Sequence, residues 1–485
     1  MLNTDDLLKT LKQGWGYDQF RSPQEEIIRC QLDGRDTLVI MPTGGGKSIC
    51  FQLPALVQPG LTIVLSPLVA LMENQVQALQ QRHLPAALLH SEVSVPQRRR
   101  VLQALKQQTL RLLYLSPETL LNPSIWEQLQ QPSLRINRLV LDEAHCLAQW
   151  GESFRPAYYR LGAVRKALLQ ARPPGSQIPI AAFTATADPA AQQLITRILD
   201  LRQPQVFRQN PYRPNLNLTV RIAWSPRGRR QQLLAFIQAR PGQSGLVYVR
   251  TRGDSASLAA WLGQQGLATA AYHAGLTAQE RRQIEQDWLT DRLQFVVCTC
   301  AFGMGVDKGA VRWVIHLHAP LLMSEYVQEI GRGGRDGKPT EALTLVSEPT
   351  GWLDPEDHQR QQFFVGHLRS QQQTARRLLT QLPVRGEVRT VTRQFPEAAL
   401  ALAWLQGSGQ LVWEDPFHYR IQRSAPRVAA PLQTEAIRQM EAYFRIRSCR
   451  WQFILRAFGF AAEAATFACG HCDHCTRSTH PLIGG

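Results

Sequence analysis

The sequence predicts an α/β chain in which two tandem parallel-sheet domains precede a mostly helical region with a cysteine array and a winged-helix-like segment. Three observations predict it. β-rich runs alternate with helical patterns from residue 36 to about 205, and the rhythm repeats from 245 to 346. A glycine-rich loop follows the first of these strands, where parallel α/β sheets bind phosphates. Four cysteines, Cys449, Cys469, Cys472 and Cys475, gather near the end in a C-x19-C-x2-C-x2-C spacing.

The bulk properties agree. A chain of 485 residues with 44% hydrophobic content exceeds a single core, and at about 100–200 residues per domain it implies three or four units. We expect boundaries at 1–205, 206–346, 347–430 and 431–485. The formal charge of +16 attracts polyanions and makes nucleic acid the leading partner class. Nearly all of that charge is arginine, with only seven lysines, so base composition of the genome accounts for it equally well. No apolar run reaches the roughly 18–20 residues of a membrane helix, and the first 30 residues lack a signal-peptide pattern. A cytoplasmic, nucleoid-associated protein is expected.

In chain order, the strands DTLVIM, LTIVLS, RLLYLS, RLVLDEA and IPIAAFT build the first domain, with helical patterns at 69–82 and 96–108 between them. The link QNPYRPNLN (209–217) leads to GLVYV, ATAAYH, QFVVCT, WVIHL and ALTLV in the second. Beyond 346 come a polar helix at 358–379, a helical stretch RGEVRTVTRQF, the helix PEAALALAWLQGSG and a hairpin, LVWED to HYRIQ. Helices followed by a hairpin resemble a winged helix over about 374–425; a plain helical appendage is the alternative.

MPTGGGKS (41–48) carries the phosphate chemistry. Backbone N–H groups of Thr43, Gly44, Gly45 and Gly46 would close around phosphates, Lys47 would reach the β/γ oxygens, and Ser48 would ligate Mg²⁺. LVLDEAH ends a strand in two acids about 95 residues downstream. There Asp142 would hold Mg²⁺ and Glu143 would orient or deprotonate the attacking water. The loop that follows carries Trp150, Phe154 and Arg155, whose flat faces stack on unpaired bases; burial of the two aromatics in a core is the alternative.

Three thiolates in a seven-residue knuckle plus Cys449 suit tetrahedral Zn²⁺, and their short spacing opposes disulfides. His471 and His474 lie inside the knuckle and could compete as ligands. Cys298 and Cys300 bracket Thr299 and read as buried thiols rather than a redox pair.

These motifs, with YDQFRSPQ (17–24), SPLVALMENQV (66–76), YLSPE (114–118), DEAHCLAQWGESFRP (142–156), FTATA (183–187), YHAGL (272–276), CAFGMGVDK (300–308) and QEIGRGGRDG (328–337), resemble the RecQ family of superfamily 2 DNA helicases. The resemblance covers roughly residues 1–345. It implies two RecA-like domains, ATP in the cleft between them, and 3′ to 5′ unwinding of DNA in repair or recombination. It implies that Tyr17 stacks on adenine beside Arg21, that Gln24 reads the adenine edge, and that Gln328, Arg332 and Arg335 complete the site, with Arg335 as arginine finger. Backbone-tracking contacts to single-stranded DNA fall to Ser66, Arg252, His273 and Thr299. Duplex DNA is the substrate, and a single-strand-binding protein or topoisomerase is a partner by family analogy.

The family usually places its zinc module before the winged helix, whereas here the wing-like segment comes first. Trp413, Phe417 and Tyr419 are candidates to wedge under a base pair, with packing onto the helices as the alternative. An RNA-directed helicase, a translocase that does not separate strands, and an ATP-switched nucleic-acid-binding module are the rival functions.

Overall fold

Runs of Leu, Ile and Val flanked by turn residues form strands buried on both faces, as parallel sheets require. The computed structural model describes residues 3–148, 155–302, 306, 308–422 and 433–478. The chain divides into two units, residues 1–209 with 367–432, and residues 210–366 with 433–485.

The first unit holds seven parallel strands: Thr37–Ile40 (β1), Leu61–Leu65 (β2), Ala86–Leu89 (β3), Leu112–Leu115 (β4), Ile136–Leu141 (β5), Ile180–Thr184 (β6) and Gln205–Arg208 (β7). Their order is β3-β4-β2-β5-β6-β1-β7. Because β1, β6 and β5 are neighbours, the loops leaving their carboxyl ends share one edge, the ligand-binding edge of such sheets. β7 pairs with β1, so this sheet extends a few residues past 205.

The second unit holds Leu216–Ala223 (β8), Gly245–Tyr248 (β9), Thr269–Tyr272 (β10), Phe295–Cys298 (β11), Trp313–His316 (β12) and Thr340–Ser347 (β13) in the order β10-β11-β9-β12-β13-β8. All of its pairings are parallel. β8 is an edge strand, and the Asp473 carboxylate accepts its Val220 N–H at 3.1 Å. The cysteine-bearing segment therefore covers that edge, which would otherwise present free ladder groups.

A three-stranded antiparallel sheet of Arg385–Glu387 (β14), Leu411–Trp413 (β15) and His418–Ile421 (β16) completes the first unit, in the order β14-β16-β15. With helices Val388–Gln394 and Ala398–Gly407 it has winged-helix topology. The stretch RGEVRTVTRQF was expected to be helical throughout, but its first three residues are β14. Gly386 sits opposite Tyr419, and a β-carbon there would lie 2.9 Å from the phenol oxygen, so the close approach of two strands decides the local structure.

Candidate functional site

Left-handed Gly44 (φ 82°) and Gly46 (φ 80°) shape the loop between β1 and the helix Lys47–Val57. The loop is set to wrap an anion at that helix N-terminus. Lys47 Nζ donates to the Met41 carbonyl at 3.3 Å, and Ser48 Oγ accepts from Gln75 Nε2 at 2.9 Å. Gln24 is 3% exposed and lies against the loop. Its amide donates to the Gly45 and Gly46 carbonyls at 3.4 and 3.2 Å, and its oxygen accepts from the Arg21 N–H at 2.9 Å. Arg21 reaches the Gly44 carbonyl at 3.4 Å, while Tyr17 is 51% exposed.

At the end of β5, Asp142 is buried and accepts the Glu143 N–H at 3.0 Å. Burial, then the neighbouring Glu143 carboxylate, raises the Asp142 carboxyl above the ordinary range. Such a group gains most from a cation, which would reverse that shift. Glu143 adopts φ 54°, a left-handed conformation that turns the chain sharply after the strand. Its carboxylate is 3.2 Å from His145, whose Nδ1 is 3.1 Å from Thr184 Oγ1 at the end of β6. The FTATA motif is thereby joined to the acidic one.

In the second unit, Arg332 is buried, and Arg335 is half-buried and donates to the Val306 carbonyl at 3.4 Å. Half-buried Gln328 precedes Glu329, which binds Arg250 at 2.9 Å through both oxygens and lies 3.0 Å from His316. Two residues of the 209–217 link brace the arginine loop: Arg213 donates to the Gly333 and Gly334 carbonyls at 3.2 and 2.7 Å, and Asn215 to Gly334 at 2.8 Å. Gln75, Arg213, Asn215 and the Arg250–Glu329 pair are braces that the sequence alone does not single out. Only Asn and Arg in a Pro-bounded link gave a signal there.

Arg252 begins the helix after β9, His273 follows β10, and Thr299 follows β11. These strands are adjacent, so the three residues share one edge of the second sheet. A β-carbon on Gly275 would lie 3.1 Å from Arg252 and 3.3 Å from His273, which places that pair around one loop. Ser66, at the end of β2 in the first unit, is buried, and its hydroxyl has no hydrogen bond among the described residues. Arg155 is 3.6 Å from Glu118 of YLSPE, whereas Trp150 and Phe154 lie outside the described residues.

The four cysteine sulfurs all lie within 4.8 Å of one another, and Cys469 and Cys475 are 3.8 Å apart. Tetrahedral Zn–S bonds of about 2.3 Å require sulfurs about 3.8 Å apart, so the set fits zinc. The two histidines have other partners: His471 Nε2 meets Tyr212 OH and His474 Nε2 meets Arg450, each at 3.2 Å. Arg450 also holds Asp473 at 2.6 and 2.8 Å, fixing the knuckle from outside its ligand shell.

The wedge expectation fails on geometry. Tyr419 is 0% exposed and Trp413 8%, both inside the first unit's core cluster, and Phe417 packs against it. Phe417 stacks edge-on with Trp126 at 5.5 Å, and Arg160 donates to the Pro416 carbonyl at 2.6 Å. Tyr419 has no surface to offer a nucleic acid.

A phosphate loop and an acidic strand end on one parallel sheet, with an arginine-bearing glycine loop on a second, define a nucleotide-hydrolysing motor of the helicase class. The model of the DEAD/DEAH box helicase family matches residues 21–194, that of the helicase conserved C-terminal domain 228–337, and that of the RecQ zinc-binding family 418–476. The ATP-dependent DNA helicase RecQ of Synechocystis is 52% identical, over 98% of this chain and 99% of that protein. The protein of the same name from Haemophilus influenzae is 41% identical over 73% of this chain, which spans 56% of its length. The chain belongs to the RecQ family of ATP-dependent DNA helicases, whose cofactors are ATP with Mg²⁺ and zinc.

Among solved structures, yeast Dbp5 bound to RNA and ADP BeF3 superposes with a TM-score of 0.58 at 18% identity, covering 76% of this chain and 92% of that one. The Mycobacterium smegmatis helicase Lhr bound to ssDNA and AMP-PNP gives 0.56 at 19%, covering 88% and 60%. Both share the fold. No helix of the described residues is long and apolar enough to cross a membrane.

Proposed function

We propose that the chain moves 3′ to 5′ along single-stranded DNA by ATP hydrolysis and separates duplex ahead of it, in repair or recombination. The observation that carries this is the placement of Arg252, His273 and Thr299 together at the carboxyl ends of β9, β10 and β11. That edge would serve as a backbone-tracking surface on the unit that also bears Arg335, with Arg252 exposed, His273 half-buried and Thr299 buried. When bound, ATP with Mg²⁺ supplies the free energy of phosphoryl transfer. Lys47 would neutralise phosphate charge, Ser48 and Asp142 would hold the metal, and Glu143 would accept the proton of the attacking water. Arg332 and Arg335 would add positive charge at the transferring group, and Gln328 would position it. Tyr17, Arg21 and Gln24 would select adenine, with Gln24 exchanging its bonds to the glycine loop for the base edge. A single-strand-binding protein or a topoisomerase is the proposed partner, in the nucleoid.

Opening duplex costs about 1.4 kcal/mol per step, so strand separation requires fuel. Strand displacement on tailed duplexes tests the reading: DNA with a 3′ tail should open with ATP, and RNA or a 5′ tail should not. Opening of RNA in preference to DNA refutes it. The burial of Tyr419 favours a second reading, a translocase without strand separation, which predicts ATP turnover on single strands and no displacement. In either case Trp150→Ala should keep basal ATPase and lose its stimulation by single strands. Equal stimulation in both proteins refutes the proposal that this loop passes contact with unpaired bases on to the adjoining Asp142 and Glu143.

A further inference from the structure

Three uncharged polar side chains meet in the interior of the first unit. Gln52 Nε2 donates to Gln75 Oε1 at 2.6 Å and to Tyr114 OH at 2.9 Å, and Tyr114 OH donates to Gln75 Oε1 at 3.5 Å. Gln52 is 4% exposed and Tyr114 1%. Phe51, Met72, Val76 and Phe183 surround them in one apolar cluster with Tyr114. Polar groups are costly in such a place unless they bond one another. The chain of bonds runs outward to one atom, Ser48 Oγ, which accepts from Gln75 Nε2 at 2.9 Å.

Gln75 turns its oxygen toward Gln52 and Tyr114. Its N–H groups face Ser48. A hydroxyl has one donor and two acceptor lone pairs, and Gln75 occupies one of the lone pairs. The rotamer of Ser48 is thereby held and its second lone pair is kept for a cation.

We propose that Gln75 is a positioning residue for Ser48 in its role as magnesium ligand, itself held in register by Gln52 and Tyr114. This rests on the assignment of Ser48 to Mg²⁺ in the proposed function. Outer partners of metal ligands typically change metal affinity by about 10- to 100-fold. Gln75→Leu, which keeps the volume and removes the donor, should sit at the lower end, because Ser48 itself stays.

The test is equilibrium binding of a fluorescent ADP analogue across Mg²⁺ concentrations, without nucleic acid and without turnover. Gln75→Leu should raise the half-saturating Mg²⁺ concentration about tenfold and leave affinity for metal-free nucleotide unchanged. Ser48→Ala should raise it on its own, and Gln75→Leu should add nothing in that background. If Ser48→Ala has no effect, the metal assignment fails and the inference falls with it. If Ser48→Ala acts but Gln75→Leu does not, or acts equally in both backgrounds, the inference alone is overturned. Should Gln75→Leu fail to fold, Tyr114→Phe is read instead: a rise of about threefold supports the relay, and no rise overturns it.

Discussion

Asp473→Ala should loosen the zinc module from the second unit. The Asp473 carboxylate takes two bonds from Arg450, at 2.6 and 2.8 Å, and one from the Val220 N–H at 3.1 Å. Arg450 is 2% exposed, and without Asp473 it keeps the Tyr443 carbonyl at 3.0 Å and His474 at 3.2 Å but no carboxylate. A buried cation left without its counter-charge costs about 3–5 kcal/mol, and the lost backbone acceptor falls within that range because the terms overlap. At about 2–4 °C per kcal/mol for a unit of roughly 150–250 residues, a cost near 4 kcal/mol lowers the melting temperature by about 8–16 °C. Zinc release on heating, read with a chromophoric chelator, should shift by the same interval. The double variant Arg450→Met with Asp473→Ala should recover most of it, since no charge then stays buried. A single-variant loss below about 1 kcal/mol, or a double variant that loses the sum of both singles, refutes the reasoning.

Two further perturbations follow from buried charge. Burial alone would raise the Glu329 carboxyl, but Arg250 and then His316 outweigh it and hold it at about 2. A depressed folded-state value means stability that is present above the ordinary value near 4.5 and lost as pH falls toward 2. Glu329→Gln should therefore cost on the order of 3 kcal/mol at pH 7 and flatten the acid slope of the urea midpoint. An unchanged slope between about pH 5 and 3 counts against the ion pair. Arg160→Ala removes the bond to Pro416 and the contact with Phe417, 5.4 Å from the ring centroid. It should speed amide exchange in β15 and β16 about tenfold, equivalent to some 1.4 kcal/mol, with β1 and β5 unaffected. Uniform exchange across the unit would show that the hairpin is not docked locally.

Periodicity made most of the fold legible because buried parallel strands leave apolar runs between glycine and proline. β3 (AALL) and β7 (QVFR) escaped because alanine and a half-polar edge strand carry little of that signal. The phosphate loop and the acidic strand end were legible for a chemical reason, since few residue types can wrap a phosphate or hold a metal. Gln75, Arg213 and Asn215 were not, because a brace works through backbone carbonyls or a single hydroxyl, and any side chain of the right length and polarity can supply it. Their role exists only once the segments that follow β1 and β2, or the link and the arginine loop, are brought together by the fold. The link reading of 209–217 likewise hid the start of β8, since Pro and Asn there mark a turn and a strand entry with the same letters.

The winged-helix segment poses the sharper physical question, because its topology suggests nucleic-acid contact while its helix centre and hairpin aromatics are buried. In such modules the helix before the hairpin usually presents an exposed face. Here Ala401 to Leu405 of that helix are buried consecutively, more than one full turn, so no face of its centre is left free. The hairpin turn carries Glu414 and Asp415, which would repel phosphate, and Glu414 already pairs with Arg385 at 3.2 Å and Arg420 at 3.4 Å. The Pro416 carbonyl at its tip is taken by Arg160, and Arg197 donates to Gly407 at 2.7 Å where the buried helix ends. Among the described residues, Trp413, Tyr419, the centre of that helix and the tip of the hairpin are spent on the first unit's own core, while the exposed Arg385, Arg389, Arg393 and Arg420 lie outside it. The module therefore packs on the sheet that carries Lys47 and Asp142, and a wedge built on Trp413 or Tyr419 would first have to leave that core.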